Sequence, residues 1–219
     1  MESNDILQMM LLGIGETLLM VIASTIFGYL FGLPLGVALF INGDDGIKPN
    51  KKIYRILDVI TNIGRSIPFL ILLILIIPFT RFIVGKSYGT LATIVPLSIS
   101  AIPFIARLVE SSLKEVDKGV IESVKSMGAT TFVVIKVLLS EARPSLINGV
   151  TICLGTITGY SAMAGVVGGG GLGDIAIRYG YYRYQTGIMI ITVVVIVVIV
   201  QLFQYIGNKL AIKLDKRKI

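Results

Sequence analysis

The 219-residue sequence contains no histidine and a single cysteine, Cys153. A disulfide framework within the chain is therefore impossible, and the usual ligand sets for zinc or haem are missing. Charge is sparse too: Asp, Glu, Lys and Arg make up 15% of the chain, against 54% hydrophobic residues. Soluble domains carry about a quarter charged residues, so this composition argues against a water-soluble globule. A secretory leader is not expected, because the acidic start, residues 1–5, lacks a basic region and no A-x-A cleavage site follows. The first apolar block is expected to remain as a helix. The chain reads as one unit, residues 1–219, with no room for a large soluble domain.

Two nucleotide-binding motifs are matched only as text. Gly85-Lys86-Ser87 looks like the end of a phosphate-binding loop, but the first glycine of such a loop would fall at Thr80. Gly168-x-Gly170-x-x-Gly173 satisfies a dinucleotide fingerprint as text. It follows an apolar run, and no strand–helix–strand unit or acidic residue about 20 positions on supports it. A membrane enzyme, a rival class, would need convergent catalytic groups within reach of the bilayer, and the sequence has no histidine and no acidic pair inside an apolar run.

What the chain does have is long apolar blocks. A helix needs about 20 apolar residues to cross a bilayer. Five stretches qualify: residues 17–41, uncharged throughout; 66–80, the apolar centre of a second span; 87–106, holding Pro96 and Pro103; 145–173, ending in a glycine run; and 184–208, the most hydrophobic. Barrel strands would alternate over about ten residues, whereas these runs are continuous. The expected fold class is all-α, a polytopic membrane protein with five transmembrane helices. Basic residues sort by side. Lys48, Lys51, Lys52 and Arg55 lie in the first loop, Arg107, Lys114, Lys118, Lys125, Lys136 and Arg143 in the third, and Lys209, Lys213, Lys216, Arg217 and Lys218 in the tail. The second loop has only Arg81 and Lys86, and the fourth only Arg178 and Arg183. The positive-inside rule then places the N-terminus outside and the C-terminus in the cytoplasm. The net charge of +7 faces the lipids of the inner leaflet and needs no nucleic-acid partner.

The third loop, residues 107–143, is longer than a helix–helix connection needs. Leu113, Val116, Val120, Val124 and Met127 recur at spacings of three and four and mark one helical face. Lys114, Asp117, Lys118, Glu122 and Lys125 lie mostly off that stripe, and Gly128 stops the helix. The pattern alone fits either a helix lying on the inner leaflet or one that docks into a partner. Glu110, Glu115, Asp117 and Glu122 would oppose an anionic lipid surface.

Glu122-Ser123-Val124, three residues, then Gly128-Ala129 resembles the EAA loop of binding-protein-dependent ABC importer permeases. In that family the short helix seats in a groove of the ATPase and transmits its motion. The resemblance implies that role for Val120, Ile121, Glu122, Ser123, Val124, Met127, Gly128 and Ala129. Ser123 and Val124 replace the family's two alanines, Val137-Leu138-Leu139 comes one residue early, and Ser140 stands where proline is usual. Asn62-Ile63-Gly64-Arg65-Ser66-Ile67-Pro68-Phe69, Ile77-Pro78-Phe79-Thr80-Arg81 and Pro103-Phe104-Ile105-Ala106-Arg107 are similar to the methionine-importer permeases. So are residues 159–165 and the glycine run 168–173 with Tyr179-Gly180-Tyr181. That resemblance implies a homodimer in a bacterial plasma membrane, two ATPase subunits holding ATP and magnesium, and an external methionine-binding protein. It implies no cofactor on this chain. A secondary transporter or channel is the alternative; it would more often carry a buried carboxylate or internal repeats, and neither is evident.

Polar groups within spans are costly and so are candidates for the pathway. Arg65, with Ser66 and Pro68 beside it, attracts a substrate carboxylate or orders the inner mouth. Alternatively Arg65 marks the start of the second helix, with Ser66 as its N-cap and Pro68 in the first turn. Tyr160, Ser161 and Met163 lie among small residues. They are expected either to line the dimer seam as part of the gate or to pack one helix pair. The glycine run is expected to fold into the outer mouth or contact the binding protein, or else to be a flexible connection.

Overall fold

The computed structural model describes residues 3–215. These residues form helices, turns and loops, with no strand among them. The first helix, α1 (Ser3–Asn42), has 40 residues and is about 60 Å long, twice a hydrocarbon core. It packs against α5 (Thr90–Lys114) along most of its length. Three glycines, one per turn, make that contact possible. A Cβ at Gly28 would sit 2.7 Å from the Ala101 Cβ, one at Gly32 2.8 Å from the Ile102 carbonyl, and one at Gly36 2.5 Å from the Ala106 carbonyl. Small residues at this spacing let two backbones approach in a membrane. Met20, Leu97, Ile105 and Val109 are fully buried beside this seam.

The second expected span is not one rod. Helix α2 (Lys51–Ser66) ends at a bend of 97° into α3 (Phe69–Leu75), and α4 (Ile77–Val84) follows after a second break. Proline is the cause. Pro68 holds Ile67 extended (φ −76°, ψ 121°), and Pro78 opens α4. Ser66 therefore closes α2 instead of capping a new helix, and its Oγ donates to the Asn62 carbonyl at 2.8 Å. Among the described residues four helices are long and apolar enough to cross a membrane, α1, α5, α8 (Arg143–Ala164) and α10 (Thr186–Leu214), and the bent pair α2–α3 takes the fifth place.

Between α5 and α8 lie two shorter helices, α6 (Lys118–Ser126) and α7 (Thr131–Glu141). Leu113 belongs to the last turn of α5, so the stripe read from the sequence as one helix is divided between α5 and α6. The expected fourth span stops at Ala164, and the glycine run folds back. A short helix, α9 (Gly171–Ile175), packs against the end of α8 so closely that a Cβ on Gly173 would strike the Ala162 carbonyl. This fold-back is clamped on both sides. The Gly171 and Leu172 N–H groups donate to Glu16 Oε2 (2.6 Å) and Thr17 Oγ1 (2.9 Å) of α1. Thr93 Oγ1 of α5 donates to the Gly169 carbonyl at 3.2 Å. A flexible connection is thereby ruled out.

Candidate functional site

Helix α6 is held at one end of the bundle. Its N-terminus is capped by Asp117, whose side chain accepts the Gly119 N–H at 2.6 Å. Its C-terminus turns at Gly128, which has φ +76°, a left-handed value that an L side chain adopts only with strain. Ile121 is buried, and Val120, Val124 and Ala129 are half-buried in a cluster that contains Val37, Phe40 and Ile47 from α1 and the turn after it. Two lysines link one flank of the helix to that turn. Lys118 Nζ pairs with Asp45 Oδ1 at 2.7 Å, and Lys125 Nζ donates to the Ile47 carbonyl at 3.2 Å. The bond from Lys118 holds the Asp45 carboxyl below its usual range, and the same pairing raises Lys118.

The opposite face is open. Glu122, Ser123, Met127 and Gly128 are exposed, Met127 by 74%, and Phe132 at the start of α7 by 76%. Met127 therefore projects outward and is not part of the buried stripe expected from its spacing. An exposed apolar pair beside a carboxylate and a tight turn suits a protein partner. Lys118 and Lys125, which a lipid-surface helix would use on headgroups, are instead engaged by the chain itself.

A charged cluster that sequence reasoning missed lies between α2 and the end of α5. Glu110 of α5 is 2% exposed. Its carboxylate accepts from Arg107 at 2.6 Å, Lys114 at 2.7 Å and the Tyr54 hydroxyl at 3.1 Å. Arg107 also pairs with Asp58 and donates to Asn62 Oδ1 at 2.9 Å, so the cluster ties α2 to the end of α5. Arg107, Glu110 and Lys114 at spacings of three and four were a usable signal, since such pairs face each other on a helix. Nothing local in the sequence signals Asp58 and Tyr54 as their partners.

The candidate pathway residues divide. Tyr160 stacks on Phe69 with ring centroids 4.8 Å apart, which brings the Pro68 turn against α8. Arg65, Ser66 and Pro68 are exposed. Ser161 is buried, and its hydroxyl donates to the Thr158 carbonyl of its own helix at 2.8 Å. Met163 is half-exposed next to the fold-back.

Membrane-length helices with a short helix presented at one end make the layout of a transport permease subunit. The chain belongs to the family of binding-protein-dependent transport system inner membrane components, whose family model matches residues 28–213. It is 52% identical to a probable D-methionine transport system permease protein of Vibrio cholerae over 203 residues, 92% of this chain and 90% of that one. It is 50% identical to the D-methionine transport system permease protein of Escherichia coli over 164 residues, 74% of this chain and 76% of that one. An inward-facing structure of the MetNI methionine ABC transporter superposes with a TM-score of 0.96 at 47% identity, covering 98% of this chain and all of the other (100%). An amino acid ABC transporter shares the fold alone, with a TM-score of 0.77 at 19% identity.

Proposed function

We propose that this permease imports methionine or a closely similar amino acid as a homodimer, driven by two ATPase subunits and supplied by an external binding protein. The observation that carries the reading is α6, linked to the turn after α1 while Glu122, Met127 and Gly128 stay open to a partner. Its C-terminus and α6 lie in the cytoplasm and the glycine fold-back lies outside, in keeping with the basic loops. ATP and magnesium sit on the partner subunits. Val120, Ile121, Glu122, Ser123, Val124, Met127, Gly128 and Ala129 form the coupling surface. Arg65, Ser66, Pro68, Tyr160, Ser161 and Met163 lie along the path or brace it. ATP binding draws two α6 helices together and opens the path outward, and hydrolysis returns it inward. Such a cycle needs nucleotide and binding protein to stabilise different states. Substrate identity comes from the names of the relatives at 47–52% identity.

The test is uptake into proteoliposomes holding the chain, its ATPase and the binding protein, with methionine isomers as competitors. Uptake should require ATP and both partners, and the ATPase should no longer copurify after combined substitution of Glu122 and Gly128. ATP-independent uptake by the chain alone would overturn the reading.

A further inference from the structure

Two cavities meet along one face of α8. The first, about 420 Å3, opens at the α6 end, and Ser112, Glu141 and Asp215 are part of its lining. The second, about 640 Å3, lies between α8 and α10. Asn148 and Ile152 line both, so the two form one trench. It follows α8 from Pro144 to Thr156, about 18 Å of helix and roughly half of the span. On α10 its wall is Val200, Gln204 and Asn208, one residue per turn. The two helices touch where a Cβ on Gly207 would strike Thr151, and the amides line the groove beside that contact.

Membrane physics makes the trench informative. Among the described residues, Asn148, Gln204 and Asn208 have no side-chain hydrogen bond within the chain. Asn148 and Asn208 lie near the cytoplasmic ends of their helices, beside Arg143 and Lys209, but Gln204 is a turn deeper in α10, where hydrocarbon could not satisfy its carboxamide. Water can satisfy them, and each cavity has room for on the order of ten or more molecules at ~30 Å3 apiece. The Thr151 and Thr156 hydroxyls donate to Ile147 and Ile152 of their own helix (3.0 and 2.9 Å) and keep their acceptor lone pairs free for the groove.

We propose that this trench is the inner half of the transport path, a water-filled exit for a zwitterionic amino acid, with Asn148, Gln204 and Asn208 as its hydrogen-bonding wall. Neutral amides greet both the ammonium and the carboxylate of such a solute without holding either tightly. Glu141 at the α6 end then favours departure of the ammonium side. The proposal rests on the import reading above.

The experiment is cysteine accessibility in the complete transporter in inside-out vesicles. Cys153 is fully buried, so the unsubstituted chain serves as a silent background. Asn148→Cys, Thr156→Cys and Gln204→Cys chains are treated with a charged methanethiosulfonate. The Leu202→Cys chain, with its thiol on the opposite face of α10 at the same depth, is the lipid-facing reference. Without nucleotide, the trench positions should react at least about tenfold faster than the reference, because a charged reagent is excluded from lipid. Trapping with ATP and vanadate should slow them. Gln204→Leu should lower uptake while ATP hydrolysis and assembly persist. Trench rates equal to those of Leu202→Cys would overturn the proposal. So would a cross-link between two copies at Gln204→Cys without labelling, which would assign the amides to the seam. Uptake by the unsubstituted complex in the same vesicles tests the import reading separately.

Discussion

Replacing Glu110 with glutamine removes the charge at the centre of the α2–α5 cluster and preserves its volume. Breaking a buried ion pair by deleting one partner costs roughly 3–5 kcal/mol, because a charge is left buried and uncompensated. Two features reduce that here. Arg107 keeps Asp58 as a partner, and the Lys114 side chain is 47% exposed, so it can turn to water. The expected loss for Glu110→Gln is about 2 kcal/mol. Asp58 is 31% exposed, so Asp58→Asn should cost about 1 kcal/mol, and Lys114→Gln under about 0.5 kcal/mol. The sharper expectation is non-additivity. With both carboxylates neutralised, Arg107 has no counter-charge, so the double variant should exceed the sum of the singles by about 1 kcal/mol. The assay is an SDS titration of the purified chain followed by far-ultraviolet circular dichroism. Strict additivity, or an Asp58→Asn cost equal to that of Glu110→Gln, would refute the claim that Glu110 is the hub.

The turn after α6 gives a second prediction: Gly128→Ala should strain a φ of +76° by about 1–2 kcal/mol and weaken ATPase copurification, with Gly128→Asn milder. Asp45 and Lys118 give a pH dependence. Asp45 is depressed from 3.8, so its share of the tether is present above that value and lost as pH falls through the lowered one. Lys118 is raised from 10.5, so its share is present below that value and lost as pH rises through the raised one. Spin-label distances between α6 and the turn after α1 should therefore stay constant across neutral pH and widen at both extremes, and Lys118→Gln should abolish the trend. Gly36→Leu should force α1 from α5 and lower stability by about 1–3 kcal/mol, read by the same SDS titration. A Met163→Cys chain should cross-link to its copy in at least one nucleotide state, and absence of dimer in every state would remove Met163 from the seam.

Apolar runs made the number of spans legible, because burial in hydrocarbon is a compositional demand. Their ends were less legible, because those depend on distant partners. The first helix starts at Ser3, well before the uncharged block, and its Glu16 finds the Gly171 N–H across the fold. The third span runs through Arg107 and Glu110 because both charges are paired. Loop-like charge in sequence was helix in space. The bend after Ser66 was signalled by Pro68, but its size is a matter of geometry. Within the candidate site, the Gly128 stop and the apolar spacing of Val120 and Val124 could be read directly. Which residue is buried could not: Ile121 faces the core and Met127 faces out. The trench amides escaped notice because Gln204 and Asn208 sit near the end of the most hydrophobic run, where a polar residue reads as a boundary.

The connections of α6 explain how one helix can operate a path it does not line. Toward α5 the link is only residues 115–117, and toward α1 it is the Asp45 and Ile47 tether. Helices α1 and α5 are packed together along the glycine seam, and α2 is tied to α5 by the Glu110 cluster. On its other side α6 leads through α7 to α8, separated from it by Ala142 alone, and α8 packs on α10. Helices α8 and α10 carry the amide wall. The trench mouth lies between α5 and α8, with Ser112 on α5 facing Ser145 on α8 across a 2.9 Å hydrogen bond. Further along, Cys153 and Ile157 of α8 share one buried core with α1 and α5, and at the other end of the bundle the glycine fold-back is clamped to both. A pull on α6 is thus delivered to α5 and α8 at the end of the bundle where they enclose the trench mouth.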